Sequence, residues 1–133
     1  MRYTQVDYSN REEVLKFPDH YVALAVTVDD TNVAANSEGK KILPAGSPVG
    51  GVGGAALEDE SLKVEKKNTQ GAATGTTGAG VDVEGILLND VDVTHGPAGG
   101  AMLVHGFVDP SKLPEALVDD VKSNLTDLIS LIE

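Results

Sequence analysis

Short apolar runs of strand length alternate along this chain with longer polar or glycine-rich stretches. Tyr21–Val28, YVALAVTV, is β-branched and apolar on both faces, which predicts a strand. Asp29, Asp30, Thr31 and Asn32 end it with turn chemistry, and residues 33–41 read as a polar loop. In Ile42–Gly54, Pro44 and Pro48 each remove a ladder donor, placing the segment on a sheet edge or at a corner. Leu57–Lys67 is charged and fits a strand or a short helix. Asn68–Gly80, NTQGAATGTTGAG, offers nothing to bury and reads as a mobile loop or a long hairpin connection.

The strongest pattern lies between Gly80 and Pro114. Val81–Leu88 predicts a strand, with Gly85 as a bulge or a close backbone approach. Asn89–Asp90 is a turn signal, Val91–Thr94 continues as strand, and His95–Gly100 is a turn. Ala101–Val108, AMLVHGFV, is the second long strand, ended by Asp109–Pro110. Leu117, Val121, Leu125 and Leu128 then recur at helical spacing. Pro114 is placed to open that helix, and Glu115, Asp119 and Asp120 favour its positive end. The expected helix covers 114–127, with a short closing strand in the terminal LISLIE.

Residues 1–19 are polar and read as an extended or partly ordered arm, with a short helix capped by Asn10 possible over Asn10–Lys16. The expected organisation is this arm followed by one domain over 20–133. Its fold class is mainly β with one C-terminal helix (α+β), a small β-barrel or sandwich-like body over 21–108 with Gly-rich loops.

Composition narrows the function. The chain has 133 residues, room for one modest core. With five aromatics (Tyr3, Tyr8, Phe17, Tyr21 and Phe107), that core must be built from Val, Leu, Ile and Ala. The formal charge of −11 argues against nucleic-acid partners, because phosphate contacts need a positive patch. Lys63, Lys66 and Lys67 cluster, but Glu58, Asp59, Glu60 and Glu65 surround them. Without cysteine there are no disulfides, thiolate zinc sites or cysteine nucleophiles. MRYTQVDYSNREEV lacks the apolar core of a secretion signal, and Tyr21–Val28 is too short to cross a bilayer, so no membrane partner is expected.

Candidate chemistry is sparse. Gly51–Ala56 matches GxGxxA, but a dinucleotide fingerprint needs a strand before it and a helix after it, so a glycine-rich turn is the better reading. His95 and His105 could face each other across a hairpin, joined by Asp90 or Asp92. A packed strand position for His105 and a turn position for His95 explain them better. Asp82, Glu84, Asp90 and Asp92 alternate with valines, the pattern of solvated strand faces. Ser47 lacks the context of a nucleophile elbow. No catalytic residue, cofactor or metal site is expected from this set.

Four stretches nevertheless carry a resemblance. Leu43-Pro44-Ala45-Gly46, the run Val83–Val93 (VEGILLNDVDV), Val104–Asp109 (VHGFVD) and Lys112-Leu113-Pro114 resemble the small head decoration or head fibre proteins of tailed bacteriophages, over roughly residues 40–115. The resemblance implies a β-rich, non-enzymatic structural protein on the outer surface of the virion capsid, made in the host bacterial cytoplasm. It implies a major capsid protein as partner, a possible homotrimer, and reinforcement of the expanded head. With no coiled-coil or collagen-like extension, the compact decoration form fits better than a fibre shaft. By the same resemblance the arm, through Arg2, Tyr3, Thr4, Gln5 and Val6, would add as a strand to the capsid. The alternatives are a β-rich carbohydrate-binding or carrier module, and a small metal-dependent enzyme using His95, His105 and the acids.

Overall fold

In the computed structural model, which describes residues 14–17, 19–125 and 129–132, Val22–Val28 forms the first strand, β1. The chain continues through β2 (Ile42–Leu43), β3 (Pro48–Gly51) and β4 (Val64–Lys66). A 3₁₀ turn at Gly80–Asp82 leads into β5 (Gly85–Leu87) and β6 (Val91–Asp92). The eleven-residue β7 (Ala98–Val108), a second 3₁₀ turn at Pro110–Lys112, helix α1 (Asp119–Asn124) and β8 (Ile129–Leu131) complete the fold.

Strands pair in the order β1-β4-β3-β5-β7, and β7 pairs back with β1, closing a five-stranded barrel. The expected mainly-β body with one C-terminal helix is the architecture found. β7 is its spine. Its first part pairs antiparallel with β1 from Ala98 to His105, Met102 and Leu103 pair with β5, and Gly106–Val108 pair parallel with β8. β2 and β6 form a separate two-stranded sheet. Val28, Val49, Val64, Leu87, Val93 and Met102 fill the main core; Leu15, Ile86, Leu103, Val108 and Ile129 fill a second one. The core is aliphatic, as the shortage of aromatics dictates.

The structure revises several expectations. β3 pairs with β4 on one side and β5 on the other, so it is not an edge strand. Pro48 is tolerated because it is the first strand residue, at the corner where the chain leaves β2. The predicted strand over Val81–Leu88 is shortened by the 3₁₀ turn. Residues 14–16 are extended rather than helical: Leu15 bridges to Val108, and Lys16 donates its N–H to the Phe107 carbonyl at 2.8 Å. The 68–80 segment does contribute to burial, since Thr69 bridges to Ala79, and Ala79 and Gly80 are buried.

The helix lies inside the expected 114–127 span but starts at Asp119, not at Pro114. Its entry is organised by another loop. Asn68 accepts from the Val118 N–H and donates to the Ala116 carbonyl, while Gln70 accepts from the Asp120 N–H. These side chains satisfy helix-end groups that a local cap would otherwise serve. Leu117 and Val121 still bury one face, against Val83.

Gly85 is a close approach, as expected. A Cβ there would stand 2.3 Å from the Leu103 carbonyl oxygen and 2.7 Å from Met102 Cγ. Backbone cannot yield as a flexible side chain can. Gly85→Ala is therefore expected to lose about 2–3 kcal/mol by opening the β5–β7 pairing. Urea unfolding measures it, and an unchanged midpoint would show that the strands can move apart freely.

Candidate functional site

Three groups of side chains could carry function: the acids of the glycine-rich loops, the histidines, and the apolar side chains left in solvent.

The acids are occupied by the backbone. Glu84 is only 8% exposed and accepts the N–H groups of Gly51, Ala56 and Leu57 at 2.5–2.9 Å. This is where the GxGxxA segment goes: its amides converge on a protein carboxylate, and turns rather than a helix follow it. The fingerprint reading is therefore excluded by structure as well as by pattern. Asp82 accepts from the Gly75 N–H and Asp90 from the Ala45 N–H, each at 2.8 Å. Asp92 accepts both the N–H and the hydroxyl of Thr94. The alternation with valines thus misread Glu84, which is buried. It read Asp90 and Asp92 correctly as exposed, while missing their loop partners.

One turn device recurs. Asp29 with Thr31, Asp59 with Ser61, Asp92 with Thr94 and Asp109 with Ser111 each place a carboxylate on the amide and hydroxyl two residues later. The Ser and Thr hydroxyls, then the amides, hold the carboxyls of Asp59, Asp92 and Asp109 below the usual aspartate range. The D-x-[ST] spacing was a visible sequence signal for these turns.

Glu65 and Lys67 form a buried ion pair at 2.7 Å, with both side chains only 4% exposed. Glu65 also accepts from Asn32 Nδ2 at 2.7 Å and from the Gly78 N–H at 3.2 Å. Burial pushes the Glu65 carboxyl up, but the Lys67 ammonium, the Gly78 amide and Asn32 together outweigh it and hold it below the usual glutamate range. Glu65 on β4 and Lys67 just past its end are two residues apart in extended chain and share a face, yet nothing in EKK marks that face as interior. The pair lies by an open cleft of about 710 Å³ between the 51–55 loop and the 74–77 loop. Glu65, Lys67, Asp82 and Glu84 all line it, each already hydrogen-bonded within the fold.

Ser47 is buried and donates its hydroxyl to the Pro44 carbonyl at 2.8 Å, a turn contact. His95 is exposed in its turn and does not meet His105. His105 instead faces His20, with 3.1 Å between their Nε2 atoms. Among the described residues no three His, Cys, Asp or Glu side chains converge as a metal-binding group.

The third group lies on the segment leading into β1 and on β1 itself. Phe17 and Tyr21 are 48% exposed, Val22 50% and Leu24 42%. β1 is paired with β7 along its whole length but reaches β4 only at Val28, so 22–27 has one pairing partner among the described residues. Arg2, Tyr3, Thr4, Gln5 and Val6, expected to touch a partner, lie outside the described residues. No helix of the described residues is long and apolar enough to cross a membrane. No family model matches this chain, and no curated protein is significantly similar to it.

Proposed function

We propose that this chain is a structural binding protein that sits on the outer surface of a tailed-phage capsid and reinforces the expanded head. The observation that carries the reading is the group Phe17, Tyr21, Val22 and Leu24, held in solvent on the segment entering β1 and on β1 itself, whose residues 22–27 pair on one side among the described residues. Exposed apolar side chains beside a strand edge that has no partner among the described residues suit a protein partner, with backbone hydrogen bonds for affinity and side chains for selectivity. The resemblance over residues 40–115 supplies the partner, the major capsid protein, and a homotrimer as the assembled form. The many carboxylates that bind loop amides favour a rigid body over a reactive one. The net charge of −11 suits an outer surface exposed to solvent.

Co-sedimentation tests the reading. The protein is expected to pellet with expanded capsids and much less with procapsids. Leu24→Asp is expected to cut the bound fraction about tenfold while leaving the fold intact. No co-sedimentation with either particle would refute the proposal.

A further inference from the structure

His20 and His105 stand 85 positions apart in sequence, yet their Nε2 atoms face each other at 3.1 Å. Two imidazole nitrogens bound to one ion at about 2.0–2.1 Å stand roughly 2.9 Å apart at a right angle and roughly 3.4 Å apart at the tetrahedral angle. The observed separation falls between these values. In the metal-free protein the same distance serves an N–H···N hydrogen bond, in which one ring keeps the proton.

We propose that His20 and His105 form a bidentate site for a late first-row divalent cation such as Zn²⁺, Ni²⁺ or Cu²⁺. The ion takes the place of the shared proton: the ring that donated it changes to its Nδ1–H tautomer by exchange with solvent, so both imidazoles bind neutral through Nε2, and the ion joins the turn at His20 to β7. The ring positions are prepared by packing. His105 is fixed opposite Val22 in the β1–β7 ladder. His20 lies in a turn closed by its own N–H on the Phe17 carbonyl. Phe107 packs on both Phe17 and His20, at centroid distances of 5.2 and 5.7 Å. At Gly106 a Cβ would meet Tyr21 Cβ at 3.3 Å and the His20 carbonyl oxygen at 3.5 Å, so glycine lets this segment settle onto the strand.

The ligand type sets the selectivity. Imidazole favours the later transition metals, whereas the carboxylates of this acidic surface favour calcium and magnesium. The two classes can therefore be separated in one titration series. Metal-free full-length protein titrated calorimetrically with ZnCl₂ or NiCl₂ is expected to take up one ion per chain, and its thermal midpoint to rise with added ion. CaCl₂ is expected to reproduce neither effect at that stoichiometry. His20→Gln, at an exposed turn, and His105→Gln should each abolish the uptake and the midpoint shift; His95→Gln should keep both. Absence of saturable Zn²⁺ and Ni²⁺ uptake by the wild type would overturn the site. So would uptake by His20→Gln equal to wild type, and this variant alone decides if His105→Gln does not fold.

Discussion

Glu84→Ala is expected to lose about 3–4 kcal/mol of stability. The carboxylate accepts three backbone N–H groups, from Gly51, Ala56 and Leu57. Truncation removes all three acceptor contacts and strands buried donors, each of which costs about 1–3 kcal/mol when left unmet. Water reaching the cleft beside the 51–55 loop recovers part of that, which keeps the total below the simple sum. Glu84→Gln keeps the shape but turns one acceptor into a donor facing amides, so it should fall between wild type and alanine. Urea unfolding of the three proteins gives the order. Hydrogen exchange should show the loss first in the amides of residues 51–57. Equal stability of Glu84→Ala and wild type would mean that the loop does not depend on this carboxylate.

The second large effect concerns the ion pair of Glu65 and Lys67. Glu65→Ala leaves the Lys67 ammonium buried without its counter-charge, and Gly78 and Asn32 without their acceptor. Removing one partner of a buried pair costs about 3–5 kcal/mol. Lys67→Met should cost less, because the remaining carboxylate keeps two donors. The double variant Glu65→Gln/Lys67→Met should recover part of the loss, since no unpaired charge remains. Additive losses in the double variant would show that the two charges do not act as a pair. The pH dependence follows from the lowered carboxyl of Glu65. A folded value below the unfolded one means that the stabilisation is complete above the usual glutamate pKa of 4.5 and is lost as pH falls through the folded value. The gap between wild type and Glu65→Gln should therefore narrow on acidification.

Local signals carried far in this chain. YVALAVTV and AMLVHGFV both became strands, because β-branched and aliphatic runs between turn residues have few other ways to satisfy their backbone. The close approach at Gly85 and the terminal strand in LISLIE were also legible. Period-two reasoning failed at Glu84. It assigns a side chain to a face but does not say whether another loop covers that face. The pairing of His105 was equally invisible, since His20 belongs to a segment with no strand pattern of its own. The helix start was misplaced because Pro114 and the acids are a local signal, while Asn68 and Gln70, about 50 positions away, organise the actual entry.

Backbone preference and apolar spacing, both read within a few residues, determined by themselves a mainly-β chain with an aliphatic core, glycine-rich turns and one late helix. Tertiary structure decided which acids are buried, which loop amides they bind, which histidines meet and which apolar strand residues stay in solvent. Each of these depends on contacts between segments tens of residues apart. A carboxylate has the same local preferences whether water or three distant amides surround it, so only the closed barrel and the loops across it set its role.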